Sequence, residues 1–225
     1  MSVSGDILTK QTQESPEFTE KELYIGQLYK ENVYVHSKYL AEKEVIKTIR
    51  DNKINSSIYR IANLTWRVED LKFQENYQVN DLYIITKMML HYNKIPLELV
   101  NEDLSMAPVD ECARAIVKLM DVKENKIYHL YSNHSLDMVK YIKAMTIPDI
   151  VTLKEFAKIL RADSEKNHEA NFVLMYISSI INNPTQTIVS FRSDETNTFL
   201  NSIGFNWSEL DDKYAIGIKK LISEK

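Results

Sequence analysis

Tyr34 and Lys38 stand four residues apart in the run Asn32-Val-Tyr-Val-His-Ser-Lys-Tyr-Leu-Ala-Glu-Lys43. One helical turn therefore brings a phenol beside an ammonium. Such a pair can give a proton to an oxygen on which negative charge is building, while the lysine steadies the tyrosinate left behind. The spacing alone decides little. In a lysine-rich chain with 13 tyrosines, roughly one Tyr-x-x-x-Lys arises by accident. Three occur: Tyr34/Lys38, Tyr39/Lys43 and Tyr83/Lys87. Helical periodicity separates them. Tyr34, Lys38, Ala41, Val45 and Ile49 form one stripe whose C-terminal part is apolar, expected to face a sheet. Lys43 groups with Lys47 and Arg50 on a basic, solvated stripe. Lys87 lies on a helix whose apolar positions, Ile84, Ile85, Met88 and Met89, fall largely on other faces. Only Lys38 sits on a line otherwise bound for the interior.

The elements that would hold this pair alternate between helix and strand. The helix from Tyr34 leads through the turn Asn55-Ser56-Ser57 to an apolar-rich run, Ser57 to Thr65, of strand length. Helix followed by buried strand is the repeating step of a parallel α/β sheet. Residues 79–92 read as an apolar helix and Pro96 to Val100 as a short strand. A helix follows Ser105, with Pro108 near its first turn and Asp110 early in it. Lys126 to Tyr131 reads as another strand. Residues 11–22 are polar, expected as a loop or short helix. From Asp149 the chain turns helical: Thr152 and Glu155 have the spacing of a capping box, residues 166–182 form a second helix, Gly204 ends a third, and Tyr214 to Ile222 closes the chain. The expected division is a sheet domain over residues 1–148 and a helical subdomain over 149–225.

Composition excludes several classes. A hydrophobic content of 44% and a charged content of 27% are those of a globular protein. The net charge of −4 makes no electrostatic case for nucleic acid or an anionic membrane. No apolar run approaches the roughly 20 residues that span a bilayer, and the N-terminus lacks the pattern of a signal peptide. A lone cysteine, Cys112, gives no disulfide framework and suits the cytoplasm; its place in a helix predicts a buried, inert thiol. The five histidines show no metal-ligand spacing, and no metal is assigned. Only four glycines occur, at 5, 26, 204 and 217, too far apart to form a phosphate-cradling turn.

Several ordered blocks resemble the C-terminal half of an extended short-chain dehydrogenase/reductase, in particular the thioester reductase domain that ends many nonribosomal peptide synthetases. The run from Asn32 to Glu42 resembles that family's catalytic helix. Tyr59-Arg-Ile-Ala-Asn-Leu-Thr65 resembles the strand that follows, and Ala107-Pro-Val-Asp-Glu-Cys-Ala-Arg-Ala-Ile116 the helix with the Pro-Val-Asp start. Ile127-Tyr-His-Leu130 resembles the next strand, and Thr198-Phe-Leu with Gly204-Phe-Asn-Trp207 the terminal helix. The resemblance covers nearly the whole chain. Two departures accompany it. Met1-Ser-Val-Ser-Gly5 resembles the segment just after the family's third catalytic serine or threonine, so the chain is expected to begin past that residue and past the glycine-rich half of the domain. Trp66 stands where the family often has glycine.

The resemblance implies an α/β fold, the C-terminal portion of a Rossmann-like domain with a mostly helical substrate subdomain. It implies NADPH as cofactor and, as partners, a peptidyl carrier protein bearing a phosphopantetheine thioester and the absent N-terminal half of the domain. Tyr34 and Lys38 would be catalytic and also contact the cofactor; Arg60, Ile61 and Asn63 would neighbour it. The product would be an aldehyde or alcohol, and the chain alone is expected to be inactive. Two other readings stand beside this one: a different extended reductase chemistry (a sugar-nucleotide epimerase or dehydratase, or a fatty acyl reductase), or a non-enzymatic fragment acting as an interaction module.

Overall fold

A computed structural model of the chain describes residues 7–8, 17–26, 29–30, 33–51, 54–100, 105–122, 124–132, 138–182, 186–187 and 190–224. In chain order its elements are β1 (Ile7–Leu8), β2 (Glu17–Phe18), α1 (Val33–Arg50), β3 (Ile58–Ile61), β4 (Asn63–Thr65), α2 (Asp81–Tyr92), β5 (Lys94–Pro96), β6 (Met106–Pro108) and α3 (Val109–Met120). They continue with β7 (Ile127–Leu130), α4 (Met138–Met145), β8 (Asp149–Val151), α5 (Leu153–Asp163), α6 (His168–Asn182), β9 (Gln186–Thr187), β10 (Ser190–Phe191), α7 (Asp194–Ser202) and α8 (Asp212–Ser223). Among the described residues no helix is long and apolar enough to cross a membrane.

Two compact units interleave along the chain. One comprises residues 1–64, 107–133 and 185–207; the other comprises 65–106, 134–184 and 208–225. The sequence pattern had suggested a single cut at 148/149. Composition registers where the chain becomes helical, but it cannot register which core each apolar face enters. Thus α2 and β5 share a core with α5, α6 and α8, while α7 returns to the core of β3 and β7.

In the first unit β3 and β7 pair in parallel, Ile58 opposite Ile127 through Ile61 opposite Leu130. Alternation then sorts their side chains onto two faces. Tyr59, Ile61, Tyr128 and Leu130 join Cys112, Ala115 and Leu119 of α3 and Leu200 of α7 in one apolar cluster, with Tyr59 stacked on Tyr128. Arg60 and His129 point to the opposite face. Beyond α7, Gly204 adopts a left-handed φ of +76°, as expected of a helix-ending glycine. The tail folds back so that Trp207 Nε1 donates to Asn197 Oδ1 at 2.8 Å. β2 adds a short parallel pairing with β10, Phe18 opposite Phe191.

The second unit is built on β5 and β8, also parallel, with Ile95 opposite Ile150. The expected strand over Pro96–Val100 is displaced. Pairing ends at Pro96, which has no N–H to continue it, and Leu97–Leu99 form a 3-10 turn. That turn buries Leu99 and aims the Glu98 carboxylate at the Leu153 N–H of α5, 2.8 Å away. The capping box formed: Thr152 Oγ1 accepts from the Glu155 N–H, and the Glu155 carboxylate accepts from the Thr152 N–H. Near α8, Tyr214 Oη donates to the Trp66 carbonyl at 2.7 Å and lies 3.0 Å from Thr65 Oγ1.

Candidate active site

α1 carries Tyr34 and Lys38 near its N-terminus, and the Lys38 ammonium lies 5.5 Å from the Tyr34 ring centroid. The stripe expected to face a sheet does not. Tyr34, Lys38 and Ala41 are exposed, Tyr34 to 60%, and Val45 and Ile49 are only half-buried. The inward line is instead Val35, Tyr39, Glu42 and Ile46, of which Val35 and Tyr39 are buried outright. Two interactions turn the helix this way. Tyr39 stacks face to face on Tyr29, 3.8 Å between centroids, and Glu42 reaches the Arg60 guanidinium. An inward glutamate is invisible to a reading based on apolar periodicity.

The exposed setting discriminates among the three tyrosine–lysine pairs better than the predicted stripe. The other two tyrosines are locked into packing. Tyr39 lies inside the aromatic group of Tyr24, Tyr29 and His36, and burial raises its hydroxyl pKa. Tyr83 is buried against Trp66 and Tyr77, and its partner Lys87 is paired with Glu169 at 2.8 Å. Lys87 also sits 5.9 Å from the Tyr83 ring centroid, so ring-to-ammonium contact comes with the spacing and marks no function. Of the three rings, only Tyr34 is accessible to a molecule from solution.

The structure places the other predicted positions differently from one another. Asn63 is exposed on β4 and Ile61 is half-buried against the α3–α7 cluster. The Arg60 side chain is 2% exposed. Its Nε and Nη2 donate to the Glu42 carboxylate at 3.0 and 2.8 Å, and Nη1 donates to the Thr19 carbonyl (3.3 Å) and to His129 Nε2 (2.9 Å). The Phe18 ring covers the guanidinium face, 4.5 Å from centroid to carbon. Ser2 and Ser4 lie outside the described residues.

His129 was missed by sequence reasoning, which looked only for metal-ligand spacing. It stacks on Phe18, and its Nδ1 lies 2.7 Å from the Arg192 carbonyl. A carbonyl accepts only, so Nδ1 carries the proton and Nε2 is free to accept from Arg60. Burial, helped by the Arg60 charge, brings its pKa down from 6.5 to about 4. The Glu20 carboxylate meanwhile accepts from Thr196 N and Oγ1, at 3.0 and 2.8 Å, in the first turn of α7. Cys112 is buried, and burial pushes its thiol up to about 11, the inert behaviour expected of it.

The arrangement on α1 is an exposed phenol with an ammonium 5.5 Å from its ring centroid. An exposed hydroxyl beside an ammonium can hold a ribose and an adjacent carbonyl oxygen. No phosphate cradle accompanies it: among the described glycines Gly26, Gly204 and Gly217 stand in separate segments.

The comparisons with known proteins bear on the parallel helix–strand scaffold that carries α1. The chain has the mixed α/β fold of a Rossmann-like portion of an extended short-chain dehydrogenase/reductase. Residues 5–116, about half of the chain, match an NAD-binding family described as male sterility protein. Three solved structures resemble it along essentially its whole length. The reductase domain of the aureusimine biosynthetic cluster superposes with a TM-score of 0.85 at 21% identity, covering 100% of this chain and 58% of that one. A thiolation-reductase di-domain from an archaeal nonribosomal peptide synthetase gives 0.78 at 24% identity, covering 99% and 47%. The terminal R domain of the myxalamid PKS-NRPS pathway gives 0.76 at 20% identity, covering 99% and 55%. The chain thus spans about half the length of the structures it matches. No curated protein matched the sequence significantly.

Proposed function

We propose that this chain is the catalytic-helix portion of an NADPH-dependent thioester reductase that releases a carrier-bound peptidyl or aminoacyl thioester as an aldehyde, or as an alcohol after a second round. The observation that carries the reading is the exposed Tyr34–Lys38 pair on α1. The likeness of the whole chain to reductase domains supports it, as does a thiolation domain being joined to the reductase domain in one of those proteins.

Reduced nicotinamide, when bound, supplies hydride to the thioester carbon. Tyr34 then gives its hydroxyl proton to the oxygen that gains negative charge, and the Lys38 ammonium stabilises the phenolate that remains. Expulsion of the thiol from the resulting thiohemiacetal frees the aldehyde. Tyr34 and Lys38 would hold the ribose end of the cofactor, with Asn63 and Ile61 nearby. The pyrophosphate would be held by residues outside this chain, since its own glycines are scattered. In this reading the chain alone is inactive and works only when completed by the glycine-rich half of the domain.

The test is a chimera in which the portion of the aureusimine reductase domain that this chain does not cover is joined to it. NADPH oxidation dependent on an acyl-phosphopantetheine carrier thioester is expected, together with aldehyde detected by trapping. Tyr34→Phe and Lys38→Met should each lower the rate by ~10²–10⁴-fold, the usual worth of a positioned acid. An active chimera whose rate is indifferent to Tyr34→Phe would refute the assignment.

A further inference from the structure

Glu42 lies two turns beyond Tyr34 and one beyond Lys38, on nearly the same line of α1. It is the point at which this line turns inward: Tyr34 and Lys38 are exposed, whereas the Glu42 side chain is 13% exposed and bound to an arginine that is 2% exposed. Arg60 is held in turn from the far side by His129 Nε2 and the Thr19 carbonyl. His129 is anchored by its own bond to the Arg192 carbonyl. A continuous chain of directional bonds thus runs from α1 through β3 to β7.

The apolar grip of α1 is slight by comparison. Val35 and Tyr39 are its buried residues, and Val33 and Leu40 are exposed. Apolar contact is non-directional and tolerates sliding or rolling of a helix over its support. A forked guanidinium–carboxylate pair does not, because both of its bonds require one mutual orientation. Buried ion pairs add little net stability once desolvation is counted, and their best-attested use is to select one register.

We propose that Arg60, acting through Glu42 and backed by His129, is the positioning residue of the Tyr34–Lys38 pair, setting how α1 is rotated and advanced on β3 and β7. Arg60 then influences the reaction without touching the cofactor. This inference rests on the reading of Tyr34 and Lys38 given above, and the experiment separates the two.

In the chain itself, spin labels at Lys43→Cys on α1 and Asn201→Cys on α7, both exposed, report the setting of α1 within its unit; the buried Cys112 stays in place. The parent should give one narrow distance population. Glu42→Gln and Arg60→Met should displace or broaden it, while Arg60→Lys, which keeps the charge, should restore part of the narrow population. The double variant Glu42→Met/Arg60→Met removes both charges together and decides the matter if the single variants do not fold. A folded double variant with the parent's narrow distance overturns the proposal; a broadened one supports it. In the active chimera, Arg60→Lys should lower kcat by ~10–100-fold with KM for the carrier thioester unchanged. An unchanged kcat would overturn the link to the pair. A chimera with no activity even before mutation would count against the functional reading, while the distances still decide whether Arg60 sets the helix.

Discussion

His129 shows how a single buried residue ties stability to pH. Folded, it takes up a proton only near pH 4; unfolded, it does so near 6.5. Between those values the unfolded state binds more protons, so acidification favours unfolding. The stabilisation from keeping His129 neutral is therefore complete above about pH 6.5, declines through the window and is gone below about pH 4, a loss on the order of 3 kcal/mol. Carboxylates titrate at the lower end of this range, so a difference between variants is the cleaner measure. His129→Gln is expected to flatten the fall in urea midpoint between about pH 7 and about pH 4.5. Equal falls in parent and variant would show that the imidazole does not carry the effect. The same residue helps hold Arg60, so the variant should also broaden the α1 distance described above.

At the scale of elements, α8 offers a test of packing against propensity. Gly217 lies within this helix, where alanine would ordinarily stabilise by about 1 kcal/mol. A Cβ built there would fall 2.2 Å from Leu71 Cδ1, and Leu71 itself has a left-handed φ of 57°. Gly217→Ala should thus gain little or lose stability in the parent, yet stabilise by about 1 kcal/mol once Leu71→Ala has cleared the space. Additive effects in a double-mutant cycle, read by urea denaturation, would contradict the close approach. A local feature behaves differently: Thr152→Ala should cost about 1 kcal/mol by removing the cap of α5, and no effect on the urea midpoint would count against the cap. That cap was legible in the sequence because Thr152 and Glu155 need only each other. Gly204 was legible for the same reason. The inward face of α1 was not, because it depends on Glu42 meeting Arg60, a residue 18 positions away on another element, and apolar periodicity scores a glutamate as outward. The shift of β5 was likewise hidden, since Glu98 turns toward Leu153 only once α5 is in place. The helix expected from Tyr34 onward did form, although the face assigned to Tyr34 and Lys38 was the reverse of the one observed.

For the whole molecule the question is how much of a cofactor site the chain holds. Dinucleotides are gripped chiefly by backbone N–H groups of a glycine-rich turn at a helix N-terminus, and the four glycines here are isolated from one another. In the proposed reading Tyr34, Lys38 and the exposed Asn63 would orient a nicotinamide ribose without replacing that grip. Titration of NADPH into the chain alone should therefore give no saturable binding at micromolar concentration. α1 also exposes Val33 (86%) and Leu40 (48%), on another side of the helix from Tyr34 and Lys38, apolar surface of a kind that a partner can cover. If the glycine-rich half of a reductase domain is that cover, the chimera should bind NADPH and its α1 amides should exchange more slowly than those of the chain alone. Slower exchange without NADPH binding would mean that the face is covered but the nucleotide loop is not aligned with Tyr34 and Lys38. Micromolar binding of NADPH by the chain alone, lost in Lys38→Met, would mean instead that α1 and its neighbours suffice as a site and that the proposed division of labour is mistaken.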